Sequence, residues 1–173
     1  MKRVFIHEKL INGRRHASSS PTAITERRYG TAARVTKQYV DIHFDNAPGV
    51  TTRVKRDCVF EVMSLALESA RDMVAYCDRN KHYGYYTDFT NSDEALTAIA
   101  TGTHGFGDIC DDNMFIARVM FRHGLGSDPD ADAPEDDDVE VLHSDGEVDL
   151  HNEIYSYLAL AATKLLEERK EAK

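Results

Sequence analysis

The sequence is poor in the features that announce a class most readily. No run approaches the roughly 18 consecutive apolar residues of a membrane span. The opening stretch MKRVFIHEKL has no apolar h-region, so neither insertion in a membrane nor export is expected. Cysteine is scarce: Cys58, Cys77 and Cys110 are odd in number and widely spaced, which speaks against a disulfide framework and for reduced thiols in a cytoplasm. The chain has no CxxC and no HExxH, so Cys77, His82, His104 and Cys110 do not form a zinc signature, and no metal or cofactor is expected. The segment TGTHGFGDIC, residues 101 to 110, sets three glycines around His104 and Asp108. It lacks the Lys and Ser/Thr of a P-loop and does not match GxGxxG after a strand. No Ser-His-Asp or Cys-His spacing appears either, so no residue is assigned to catalysis and the protein is read as a non-enzyme.

Positive charge is also short overall, with 21 Lys and Arg against 30 Asp and Glu and a net charge of −9. Its distribution matters more than its total. Residues 1 to 56 hold twelve of the cations against four acids (Glu8, Glu26, Asp41, Asp45), a balance of +8, and the remainder stands at −17. Opposed halves of this kind point to a nucleic-acid contact at one end, set against the plainer reading of a solvated basic face. Hydrophobic residues make up 42% of the 173, enough for a folded core. The length suits one domain, or a small module with a helical appendage.

The N-terminal third reads as strands. Lys2 to His7 alternates loosely, and HASSSPTA, residues 16 to 23, reads as a loop around Pro21. After Tyr29-Gly30, Ala33 and Val35 fall on one face and Arg34 and Thr36 on the other. Residues 39 to 44 alternate cleanly, with Val40, Ile42 and Phe44 inward and Tyr39, Asp41 and His43 outward. DNAPG, residues 45 to 49, is a turn; beyond it Val50, Thr52 and Val54 are expected inward, with Thr51, Arg53 and Lys55 outward. A β-meander with one buried face, curled on itself, makes a small barrel.

The pattern YGTAARV…YVDIHFDNAPGVTTRVKRDCV, residues 29 to 59, resembles the Tudor/KOW class of SH3-like barrels. In that class a Gly-containing strand precedes a strand of the type V-x-I-x-F-D, and a later strand ends near a one-turn helix, for which Asp57-Cys58-Val59 serves here. A KOW-like barrel on a short, charged chain is also similar to the early DNA-binding proteins of T4-like phages, of the MotB type. The resemblance implies two uses. A methyl-lysine cage needs several rings around the cation, and the module offers only Tyr29, Tyr39 and Phe44, the last on the apolar face. Nucleic-acid binding through basic loops and strand edges fits Arg14, Arg15, Arg27, Arg28, Arg34, Arg53, Lys55 and Arg56, which would neutralise phosphates and release counterions.

Beyond the module the chain reads as helical. Residues 58 to 77 carry apolar side chains at spacings near 3.6. Asn91 opens a capping box with Glu94 ahead of a helix to about Ala100. A third helix runs from about Asp111 to Arg122, with Gly124 past its end. Between the first two lies HYGYYTDF, residues 82 to 89, whose rings either stack on bases or, more commonly, fill a helical seam. GSDPDADAPEDDDVEV, residues 126 to 141, is an acidic linker. Asp128, Asp130 and Asp132 imitate an EF-hand start, but Ala133 and Val139 stand where that loop needs Gly and Glu. A last helix from about Val148 to Glu171 bears the stripe Leu150, Ile154, Tyr157, Leu158, Ala161, Leu165 and Leu166.

The expectation is therefore an α+β protein. A small N-terminal SH3-like (Tudor/KOW-like) barrel over residues 1–57 is followed by a helical region over 58–124, an acidic linker over 125–147 and a C-terminal helix over 148–173. The expected function is non-catalytic binding of double-stranded DNA with weak sequence preference, modulating transcription or the host nucleoid. The resemblance implies a phage-encoded protein in the host cytoplasm and modified phage DNA as a further partner. The alternative is an acidic DNA mimic, a host-defence inhibitor that meets a host DNA-associated protein through residues 128 to 149.

Overall fold

The computed structural model describes residues 1–19, 26–79, 91–102, 114–126, 128–129 and 145–172. It divides into two compact units, Met1–Ser64 and Leu65–Lys173.

The first unit is an antiparallel sheet in the order β2-β1-β3-β4-β5, built from β1 (Lys2–Ile11), β2 (Arg14–Ser18), β3 (Glu26–Val35), β4 (Tyr39–Phe44) and β5 (Thr51–Lys55). A single 3₁₀ turn, Arg56–Cys58, then leads into β6 (Val59–Glu61), which returns to pair with Val4, Phe5 and Ile6 of β1. The result is a curled half-barrel, compatible with a small SH3-like barrel. Its core is Val4, Ile6, Ala32, Val40, Ile42, Phe44, Val54 and Cys58, with Val59 packed against it. In β4 the alternation is as the sequence implies: Val40, Ile42 and Phe44 are buried, while Tyr39 and His43 are exposed.

Several local expectations are corrected. β2 takes the first three residues of the expected loop, His16 to Ser18, because Asn12 and Gly13, both at positive φ (51° and 74°), make the tight turn of a hairpin that carries Arg14–Ser18 back along β1. Of that loop, residues 20 to 23 lie outside the described residues. β3 does not alternate through its end. The register slips between Ala32 and Arg34, so the buried residue is Ala32, and Ala33, Arg34 and Val35 are all exposed. Val50 is 57% exposed, since Ala47, Pro48 and Gly49 form a separate turn closed by Val50 N–H to the Ala47 carbonyl, and β5 starts after it. The 3₁₀ turn sits one residue earlier than expected, and the helix expected from residue 58 begins at Val62. Val59-Phe60-Glu61 is taken by strand pairing instead.

The second unit is helical. Most of α1 (Val62–Arg79) belongs to it, with α2 (Ser92–Thr101), α3 (Met114–Arg122) and α4 (Asp145–Glu171). Asn91 caps α2 as expected, its Oδ1 accepting from Glu94 N–H at 2.9 Å. Gly124, at φ 70°, ends α3, with Leu125 N–H donating to the Met120 carbonyl. Arg122 reaches Glu68 and Asp72 on α1 at 3.0 and 2.9 Å, Tyr76 meets the Phe115 ring at 5.4 Å, and Arg169 of α4 bonds Ser92 and Asp93 at the start of α2. Residues 82–89, the glycine segment beyond Gly102 and the acidic run between Pro129 and Asp145 lie outside the described residues. No helix among the described residues is long and apolar enough to cross a membrane.

Candidate nucleic-acid interface

The sheet divides the eight candidate cations into two groups. Arg34 ends β3, Arg53 and Lys55 lie on β5, and Arg56 opens the 3₁₀ turn. Antiparallel pairing brings these positions to one end of the sheet, because the end of β3 meets the start of β4, and the start of β4 meets the end of β5. Arg34 and Arg53 flank Asp41 across β4, Tyr39 stands opposite Lys55, and Arg56 N–H donates to the Gln38 carbonyl at 2.9 Å. The β3–β4 turn is held by Thr36, whose N–H and hydroxyl both donate to the Tyr39 carbonyl, and it carries Lys37 at its tip. Five cations, all of them exposed, thus surround Tyr39, itself 39% exposed, with Asp41 and Asp57 as the acids of this end.

Asp41 is a working part of this surface. Arg53 donates to both its oxygens, at 2.8 and 3.2 Å. That hydrogen bond, with the charges of Arg53 and Arg34 added, holds the Asp41 carboxyl below the usual carboxylate range and raises the Arg53 guanidinium further. Asp41 therefore offsets one charge and ties the Arg53 side chain to β4. What remains at this end is a balance of +3 beside one exposed aromatic ring, Tyr39.

The other four candidates lie toward the opposite end. Arg28 is half-buried, its guanidinium 3.9 Å from the Phe44 ring centroid, with Nε donating to Asn46 at 2.8 Å and one terminal nitrogen 3.4 Å from Glu8. Arg15 meets Glu8 at 3.3 Å and Glu26 at 2.6 Å. Arg28 thus covers the Phe44 ring of the core, and the two arginines together neutralise Glu8, which is buried. Arg27 is half-buried opposite His7 on β1. Arg14, on the hairpin, is exposed and stands opposite Ile11 in the strand register.

Other chemistries find less here. Tyr29, Tyr39 and Phe44 do not converge into a cage: Phe44 is inside the core, while Tyr29 packs on Phe5. Cys58 and Cys77 are buried thiols pushed up from their ordinary range by burial, the opposite of what a nucleophile needs. Among the described residues no group of three His, Cys, Asp or Glu is placed to hold a metal ion. Lys37 escaped the sequence reading because a lone cation in a turn has no periodicity to mark it. No protein-family model, curated protein or solved structure matches the chain.

Proposed function

We propose that this protein binds double-stranded DNA without catalysis, through the end of the sheet formed by Arg34, Lys37, Arg53, Lys55 and Arg56. The observation that carries the reading is their convergence around an exposed tyrosine in a chain of net negative charge. Cations spread for solubility alone have no reason to collect at one end of one sheet. Contacts of this type go to phosphates, so affinity falls steeply with salt and sequence preference is weak. The resemblance of residues 29–59 to Tudor/KOW barrels supports the nucleic-acid reading over a peptide-reading one. The similarity to early proteins of T4-like phages supplies its setting: modulation of transcription or of the host nucleoid in an infected cell, with modified phage DNA among the ligands.

A gel-shift titration of duplex DNA against salt tests the proposal. Replacing Arg34, Lys55 and Arg56 together by Ala is expected to weaken binding and flatten the logarithmic salt dependence by up to about three units, at about 0.9 per phosphate contact. These side chains are exposed, so the fold is expected to survive. Unchanged affinity and slope would remove this face from the mechanism.

A second reading rests on the other half of the charge distribution. With a balance of −17 beyond residue 56, the chain would act as a DNA mimic and hold a host DNA-associated protein through residues 128 to 149. The same titration separates the two, since a mimic leaves duplex DNA unshifted at low salt.

A further inference from the structure

The β1–β2 hairpin carries side chains that the core of its unit does not explain. Among the described residues, β1 pairs with β3 as far as Glu8, opposite Glu26, and from Lys9 to Ile11 its partners are those of β2. Every residue from Leu10 to Ala17 is exposed, Leu10 at 72% and Ile11 at 50%. Two adjacent aliphatic side chains in water at a ribbon tip do nothing for folding. Around them stand Lys9, Arg14, Arg15 and His16.

The register sorts these side chains by face. Leu10 lies opposite Arg15, and Ile11 opposite Arg14. Paired residues project to the same side and successive residues to opposite sides. Each face of the ribbon therefore presents one aliphatic side chain beside one arginine. The acids near this arm, Glu8 and Glu26, sit at its root, where both face Arg15; the Glu26 side chain is 72% exposed and yields its partner readily. Asn12 and Gly13 close the tip.

We propose that this hairpin is a DNA arm: it enters the minor groove, turns Arg14 and Arg15 toward the two phosphate walls, and wedges its aliphatic tip between base steps. The inference rests on the DNA reading above and adds a mode of binding to it. A groove has phosphates on both sides, so a ribbon with an arginine on each face meets both, whereas a flat anionic surface meets one. Leu10 and Ile11 gain by leaving water only if a base step opens to receive them, and such insertion bends the duplex. The basic end of the sheet then holds phosphates, and the arm deforms the DNA.

The test uses the full-length protein and a short A·T-rich duplex with a central 2-aminopurine and a donor–acceptor dye pair at its ends. Binding is expected to raise 2-aminopurine fluorescence, as the base unstacks, and to bring the dyes together. The double variant Leu10→Ser, Ile11→Ser is expected to keep its melting temperature and the salt slope of binding while losing both signals. Arg14→Ala is expected to lower the slope by about one unit. If the protein binds and both signals stay silent, or if the double variant retains them, the arm is overturned and the DNA reading stands. If the protein fails to bind duplex at low salt, both fall. Capture of anionic vesicles by the protein and not by the double variant, with no change in the DNA signals, overturns the arm in favour of a lipid surface.

Discussion

Gly30 and Phe44 face each other across β3 and β4, and the contact leaves no room for a side chain on the glycine. A Cβ there would come within 2.5 Å of the His43 carbonyl oxygen, 2.8 Å of Ile42 Cγ2 and 2.9 Å of Phe44 Cα. Two of these are backbone atoms, so relief requires the strands to part. Gly30→Ala is expected to destabilise the protein by about 1–3 kcal/mol, the range for overpacking. Phe44→Ala is expected to cost about 3–5 kcal/mol by emptying a buried aromatic site. His43→Ala removes an exposed side chain with one 3.0 Å bond to Thr51 and is expected to cost little. Denaturant melts of the three variants check the ranking; a larger loss for His43→Ala than for Phe44→Ala would mean that the register of β4 is shifted by one residue.

His7 adds a dependence on pH. It is buried on β1, and burial first, then the charge of Arg27, lowers its pKa from 6.5 to about 4. Above pH 6.5 the imidazole is neutral both folded and unfolded and contributes nothing. As pH falls below 6.5 the unfolded chain binds a proton that the folded chain refuses until about pH 4. Stability is therefore lost across that window, by up to about 3 kcal/mol, and levels off below it. His7→Gln is expected to remove this component, so that the difference in denaturation midpoint between pH 7 and pH 4.5 shrinks relative to the parent. An unchanged difference would assign the acid sensitivity to carboxylates instead.

At the scale of elements, α3 shows a stop written in one residue. Gly124 sits at φ 70°, where its N–H reaches the Phe121 carbonyl and lets Leu125 close onto Met120. Gly124→Ala forces a side chain into the left-handed region and is expected to lower stability by about 1 kcal/mol, read as a shift in thermal midpoint. Stops and caps such as this, and the Asn91 cap of α2, are legible in sequence because a single residue carries them. The alternation of β4 is legible for a related reason, since a strand with one buried face has period two and a slip would expose Val40, Ile42 and Phe44 together. The elements that differ from the sequence expectation lack such a marker. β2 has no apolar alternation, and the Asn12-Gly13 turn was its only sign. β6 has apolar residues that also fit a helix, and only its partners on β1 make it a strand. The candidate site divides in the same way. Arg53 and Lys55 face outward by alternation alone. Arg28 looks equivalent to them until the β1–β3 pairing brings Glu8, twenty residues away, into reach, whereas Arg15 meets Glu8 across its own hairpin. Long-range pairing, not local pattern, decides which arginines remain available.

At the scale of the whole molecule the question is what a chain balanced at +8 up to residue 56 and −17 beyond it does with its own opposite charges. Residues 128 to 138 include seven carboxylates, Asp128, Asp130, Asp132, Glu135, Asp136, Asp137 and Asp138. If the protein binds DNA, these carboxylates, tethered to the basic sheet by one chain, would compete with phosphates at a high effective concentration that dilution does not reduce. Such competition is electrostatic and strongest at low salt, since a Debye length of about 8–10 Å at physiological ionic strength screens more distant pairs. Converting all seven to the matching amides keeps the length of the segment and removes only its charge. If the protein binds DNA, the variant is expected to bind duplex more tightly than the parent at low salt, with the gap closing as salt rises. If it is a DNA mimic, the same variant is expected to lose its hold on a DNA-binding partner while its affinity for duplex stays negligible at every salt concentration. Equal duplex affinity in parent and variant at low salt would show that the acidic run neither guards the basic end nor imitates its ligand, and would reduce it to a solvated connection between folded segments.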